Sequence, residues 1–210
     1  MKTLVHPTYF PSIANMAVLV QADVVWEYHD NFQKQTYRNR CYVCTDQGKH
    51  MLNIPIQHIG ENNGRQLYNQ VQLDHSTFWK KTHLKTLQTA YRTSPFFEFY
   101  EDDLLPVFEK KYDSLMDYNF ATIAFLCEAI GVDFPQEKTE SFELETTQFN
   151  DARHLVNAKK PVSIVQETYT QVFDDRHDFV PNLSALDLLF NKGPESLEYL
   201  QNIKLPIKNA

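Results

Sequence analysis

Lys2-Thr3-Leu4-Val5-His6-Pro7-Thr8-Tyr9-Phe10-Pro11-Ser12, followed by Ile13-Ala14-Asn15-Met16-Ala17-Val18-Leu19-Val20-Gln21 and Ala22-Asp23-Val24-Val25-Trp26-Glu27-Tyr28, is the stretch that decides the fold. Lys2–Val5 is a short run of strand formers. Pro7 and Pro11 then fix φ and remove two backbone donors, which breaks regular structure. Ser12 can cap a helix over Ile13–Gln21 that is apolar around much of its girth. Asp23–Tyr28 is rich in β-branched and aromatic residues and reads as a second strand. Strand, loop, helix and strand in this order make a βαβ unit, hence a parallel pair with a right-handed crossover.

Outward from this unit, Thr36–Thr45 and Lys49–Ile56 are strand-like runs joined by Asp46-Gln47-Gly48, where Gly48 can supply the positive φ of a tight hairpin loop. Residues 59–64 read as a loop, and Gln70–Asp74 as a further strand. The middle is helical. One helix is expected from a Ser76 cap to about Arg92. A second starts near Asp103 with Pro106 in its first turn, and a third runs from Phe120 to Ile130 and stops at Gly131. Residues 135–147 are polar and broken, an exposed loop or insertion. Tyr169–Phe173 reads as a short extended run. A helix over Ala185–Asn191 follows a Ser184 start, ends at Gly193, and gives way to a last one opened by Pro194. The expectation is a single α/β domain over residues 1–210: a βαβ unit with a small mixed sheet and hairpin, packed by a mostly helical middle and C-terminal segment.

Composition agrees with this and narrows the function. Of 210 residues, 42% are hydrophobic and 22% charged, ordinary for a globular chain, and 15 Phe with 11 Tyr argue against disorder. The formal net charge of −7 disfavours a nucleic-acid surface, which needs a basic stripe to displace counterions. No apolar run approaches the roughly 20 residues that span a bilayer, and the first residues lack the apolar core of a secretory signal. Three cysteines point to a reducing compartment rather than a disulfide framework. Cys41 and Cys44 are three apart on an expected strand, so their sulfurs diverge, and no metal site is expected there. No metal or organic cofactor is expected elsewhere either. No two histidines are four apart, and five scattered glycines cannot write a dinucleotide or phosphate-loop fingerprint.

The densest chemical signal is Lys34-Gln35-Thr36-Tyr37-Arg38-Asn39-Arg40. On a strand, Lys34, Arg38 and Arg40 share one face, with the arginines about 7 Å apart, a spacing suited to a phosphate, diphosphate or carboxylate. The alternative is a solvated face paired with Glu27 or Asp30. His6 sits where a parallel strand hands over to its loop, the place where such sheets bind ligands, and can act as general acid or base. The alternative is a structural histidine tied to a backbone carbonyl. In the tail, Asp151, Arg153, Lys159, Lys160, Tyr169, Gln171, Asn182 and Asp187 are polar residues among apolar ones. Asp187 either caps the helix dipole or faces a cleft.

Pro7-Thr8-Tyr9-Phe10-Pro11, Ala22-Asp23-Val24-Val25, Lys34 to Cys41, and Leu52-Asn53-Ile54-Pro55-Ile56 resemble the opening of the WbqC-like family. The tail Tyr169–Phe173 and Pro181–Asn191 resembles its end. The resemblance covers nearly the whole chain in order, although Pro7 directly follows His6 where the commoner start reads His-Gln-Pro. It implies a bacterial cytoplasmic protein linked to surface-polysaccharide and O-antigen gene clusters. Together these readings give a transferase acting on a phosphate-bearing activated or nucleotide-linked small molecule. His6 and Asp187 are the catalytic candidates, and Tyr9, Lys34, Arg38, Asn39, Arg40, Tyr169, Asn182 and Ser184 are the binding candidates. Two other readings stand beside it: a non-catalytic binding or assembly protein, and a nucleotidyltransferase-like enzyme, whose second loop histidine is missing here. An enzyme should bring His6, the Arg38/Arg40 face and the Asn182–Asp187 segment around one pocket, whereas a binding protein should show a contiguous exposed apolar patch.

Overall fold

In the computed structural model, which describes residues 1–57, 65–160, 162 and 164–205, the βαβ unit is present. Strand β1 (Thr3–Val5), helix α1 (Ile13–Gln21) and strand β2 (Val24–Trp26) follow in order, and β1 pairs parallel with β2 in the register Leu4 to Val25. The Ser12 side chain accepts from the Asn15 N–H and opens α1. The hairpin is strand β3 (Arg40–Thr45) against strand β4 (Gly48–Asn53), with Gly48 at φ 85°, a left-handed value that suits a residue without Cβ.

Helices α2 (Trp79–Tyr91), α3 (Phe97–Glu109) and α4 (Leu115–Ile130) form the middle. After them comes a two-residue strand β5 (Asn150–Asp151), parallel to β1 on the side away from β2. Helices α5 (Ala185–Lys192) and α6 (Ser196–Gln201) close the chain. One apolar core joins Val5, Trp26, Val43, Leu87, Leu126 and Phe190.

Several elements depart from expectation, each for a local reason. Residues 34–39 are irregular rather than stranded: Gln35 turns the chain at φ 63°, and the Thr36 hydroxyl donates to the Gln33 carbonyl (2.8 Å). Ser76 does not cap α2: it lies in a turn where its N–H donates to Asp74 Oδ1 (2.8 Å), and the helix starts three residues on, at Trp79, with no side-chain cap. Helix α3 begins six residues before Asp103, at Phe97, so Pro106 lies near its end and not in its first turn. Burial of Phe97, Leu104, Val107 and Phe108 carries the helix through the missing donor. Helix α4 starts early, at Leu115, under a Ser114 cap, and does stop at Gly131, which is left-handed at φ 84°. Gln70–Asp74 forms only isolated bridges, such as Ile56 to Leu73, and Tyr169–Phe173 has no regular structure. The 59–64 segment lies outside the described residues.

Residues 135–147 run along the outer edge of β2. The Trp26 N–H donates to the Glu137 carbonyl (2.9 Å), the Thr139 N–H to the Trp26 carbonyl (2.9 Å), and the Tyr28 N–H to Thr139 Oγ1 (3.1 Å). This covers an open strand edge.

Candidate functional site

His6 is the first residue after β1 and is buried. Its Nε2 lies 2.9 Å from Arg38 Nη2 and 3.2 Å from Asp30 Oδ2, and the same Arg38 Nη2 donates to Asp30 Oδ2 at 2.6 Å. Arg38 is wholly buried, with its guanidinium carbon 5.3 Å from the centre of the Tyr68 ring. This corrects the expectation of a strand with Lys34, Arg38 and Arg40 on one face, and equally the alternative in which that face is solvated. The side chain is turned inward because residues 34–39 coil over the core instead of lying in a sheet. The Asp30 partnership anticipated for it holds, in the interior. Arg38 Nε and Nη1 are buried and make no hydrogen bond in the structure.

Electrostatics fix the state of this cluster. Burial, and then the Arg38 charge, push His6 down to about 4, so the ring is neutral at pH 7. Burial alone would raise the Asp30 carboxyl. The hydrogen bond that Asp30 accepts from His6 once Nε2 is protonated, the charges of that imidazolium and of Arg38, and the Asn31 N–H outweigh it and hold Asp30 below the ordinary carboxylate range. A guanidinium only donates, so the short contact with Arg38 needs a lone pair on His6 Nε2 and the proton on Nδ1. A proton arriving at Nε2 reverses this arrangement: the nitrogen can then only donate, and its acceptor is Asp30.

The three residues border a cavity of about 640 Å³ whose other walls include Asp151, Arg153, Lys160 and Phe142. Arg153 lies two residues past the end of β5. Its guanidinium donates to Asp151 (Nη2 to Oδ2, 2.7 Å), to Glu27 Oε2 (3.3 Å), and to the carbonyls of Glu143 (2.6 Å) and Leu144 (3.1 Å). It thereby ties residues 135–147 to the sheet. The cavity thus opens at the C-terminal ends of parallel β1 and β5, where strand polarity and loop spacing leave room for ligands.

The remaining sequence candidates lie elsewhere. Tyr9 is fully buried, its hydroxyl 2.9 Å from His83 Nδ1 and its ring stacked on Tyr118. Asn39 donates to the Ile54 carbonyl (3.0 Å), and Arg40 pairs with Asn53 across the hairpin. Lys34 is exposed.

The tail candidates form two structural joints. Asn182, at φ 51°, accepts from the Ala14 N–H at the start of α1 (2.9 Å), and Ser184 donates from Oγ to the Phe10 carbonyl (3.0 Å). Asp187 is fully buried and accepts from Tyr91 (2.8 Å), Tyr169 (2.6 Å) and Gln171 (2.9 Å). Burial raises its carboxyl in spite of these donors. None of these contacts reaches Arg38 or Arg40, so the expected meeting of the two blocks is not found. The tail meets the proline loop, at Ser12–Ser184, and strand β3, where the Ser184 N–H donates to the Tyr42 carbonyl (2.8 Å).

Cys41 and Cys44 are buried free thiols, and burial pushes Cys44 up to about 12. Among the described residues no three His, Cys, Asp or Glu side chains are grouped to hold a metal ion. No helix there is long and apolar enough to cross a membrane.

The model of the WbqC-like protein family matches residues 6–163. The chain belongs to the WbqC-like family. The match begins at His6 and includes Asp30, Arg38, Asp151, Arg153 and Lys160, while Tyr169, Asn182, Ser184 and Asp187 fall outside it. This WbqC-like chain is 25% identical to the uncharacterized protein Rv1507c of Mycobacterium tuberculosis (strain ATCC 25618 / H37Rv), over 94% of its own length and 96% of that protein. No solved structure matches it. Membership is consistent with a role related to polysaccharide biosynthesis.

Asp30, Glu27, Asp151 and Arg153 are the residues that sequence reasoning undervalued. For Glu27 and Asp30 the signal was available, since both lie within four residues of the end of strand β2, whereas Asp151 and Arg153 lie in or just after a strand too short to show in the sequence.

Proposed function

We propose that this WbqC-like protein is a bacterial transferase acting on a phosphate-bearing activated small molecule in surface-polysaccharide biosynthesis, with its reaction at the His6–Asp30–Arg38 cluster. One observation carries the reading: a buried histidine, neutral at pH 7, touches a buried arginine–aspartate pair beside a ligand-sized cavity at the end of a parallel strand. Once Arg38 turns its donor to the anion of the donor substrate, His6 Nε2 is free to take the proton of the acceptor hydroxyl or amine. The acceptor bonds the transferred group, the phosphate leaves with its electron pair, and Asp30 receives the hydrogen bond of the imidazolium. Lys160 at the cavity mouth and the inner guanidinium of Arg38 favour an anionic group on the donor. Asp187 takes no part in this reading.

A second reading, a binding protein without catalysis, is favoured by two features: Arg38 and Arg153 are already neutralised by Asp30, Asp151 and Glu27, and the Asn182–Asp187 segment does not join His6 and Arg38 as expected of an enzyme. The two readings separate on incubation with a panel of nucleotide-sugars and acyl donors, followed by mass spectrometry. The transferase reading expects a product that His6→Gln abolishes while ligand binding survives. Binding without turnover in the wild type, or turnover indifferent to His6→Gln, overturns it.

A further inference from the structure

A second cavity, of about 660 Å³, lies between the turn of the β3–β4 hairpin, the outer face of α2 and residues 173–176, and shares no lining residue with the His6 cavity. Its volume is in the range of small-molecule sites, roughly 300–1,000 Å³. The walls are apolar: Phe78, Ala90 and Phe173, with the methyl groups of Thr82 and Thr86 between them. Phe78 is 86% exposed at the start of α2, an aromatic ring left largely in water.

The rim is basic. Lys81 and Lys85 stand one helical turn apart and form no ion pair among the described residues. Arg176 completes it, at 3.7 Å from Asp46, which also lines the groove, and 3.9 Å from Asp175, so the two lysines carry most of the uncompensated charge. On a chain whose formal net charge is −7, an apolar trough edged by three cations has a definite complement.

We propose that this groove binds a single-chain anionic amphiphile, an apolar chain ending in a carboxylate or phosphate. The chain lies along α2 over Ala90 and between Phe78 and Phe173, and the head group is held at Lys81, Lys85 and Arg176. Burying Phe78 against the chain supplies the hydrophobic drive, and the unpaired lysines supply the preference for an anion over a neutral head.

The test is calorimetric titration with dodecanoate and dodecyl phosphate below their micelle concentrations, with dodecyl maltoside as the neutral probe and anionic phospholipid vesicles as a separate arm. Both anions should bind the wild type at least tenfold more tightly than the maltoside. Lys81→Glu with Lys85→Glu should remove that preference. Phe78→Ser should weaken both head-group classes about tenfold, and Thr86→Trp, which fills the groove, should block both. Phe78 and the lysines are exposed, so the Phe78→Ser and Lys81/Lys85 variants keep the test valid if the tryptophan variant does not fold. The proposal fails if monomeric dodecanoate and dodecyl phosphate do not bind. It fails if their binding ignores the Phe78 and Lys81/Lys85 changes. It also fails if only vesicles bind, which would make the basic rim a surface contact.

Discussion

Arg38→Ala is expected to cost about 3–5 kcal/mol, because it removes one partner of a buried ion pair and strands the other. The guanidinium is fully buried and meets Asp30 at 2.6 Å, and Asp30 itself is only 6% exposed. Water cannot readily take over its charge. The lost stacking on Tyr68 and the void left by the side chain act in the same direction. For a chain of this length 1 kcal/mol moves Tm by about 2–4 °C, so the loss should read as a fall of roughly 6–20 °C. Urea titration followed by circular dichroism measures it directly, with the m-value testing that the transition stays two-state. A solvated arginine would leave the midpoint almost unmoved. Arg38→Met with Asp30→Asn should recover much of the loss, since a neutral pair leaves no stranded charge. A midpoint for Arg38→Ala within error of wild type, at unchanged m, refutes the buried-pair argument and with it the geometry of the His6 cluster.

Three further predictions concern titration and burial. His6 and His83 are each held near 4, chiefly by burial, against 6.5 unfolded, so the unfolded chain binds more protons between these values. Stability should fall as pH drops from about 6.5 to 4, by roughly 3 kcal/mol for His6 alone, and His6→Gln should flatten that slope in acid titrations of Cm. His177 is raised, because its ring nitrogens face the Thr45 carbonyl (3.0 Å) and the Asp178 carbonyl (3.1 Å), which only an imidazolium can satisfy together. Its contribution is present below its unfolded pKa and lost as pH rises through the folded one. An NMR titration of His177 showing a pKa at or below 6.5 would contradict this. Asp187→Asn should cost about 1 kcal/mol and Asp187→Ala about 2–4 kcal/mol, since alanine leaves the Tyr91, Tyr169 and Gln171 donors unmet. Equal midpoints for the two variants would speak against a structural carboxylate.

The parts of the fold that the sequence disclosed are those set by local chemistry. Ser12 capping an apolar helix, Gly48 in a hairpin turn and Gly131 past a helix end each follow from one residue's conformational preference. What stayed hidden depends on partners far along the chain. Strand β5 has two residues and no alternation of its own; it exists because Asn150 and Asp151 lie beside Thr3 and Leu4. Lys34–Arg40 has the composition of a strand, but Arg38 finds its place through Asp30 and His6, and no local pattern reports an inward guanidinium. The same holds for the site. His6 was legible from its position after β1. Arg153 was only one polar residue among several, and its contact with Glu27 spans 126 positions. Asn182 and Ser184 show the reverse error: a distinctive polar motif that serves to fasten the backbone.

That fastening has a consequence for how the chain is made. The Ala14 N–H of helix α1 donates to Asn182 Oδ1, 168 positions later, and the Ile13 N–H donates to the Leu183 carbonyl. At about 5–20 residues per second, the first helix emerges from the ribosome roughly 10–30 s before the residues that complete its start exist. Through that interval Met16, Val18 and Leu19, all buried at the end, have neither β5 nor the tail to cover them. Until Asn182 and Leu183 are available the start of α1 lacks both of these acceptors, and truncation before Asn182 should show first as insolubility of the front.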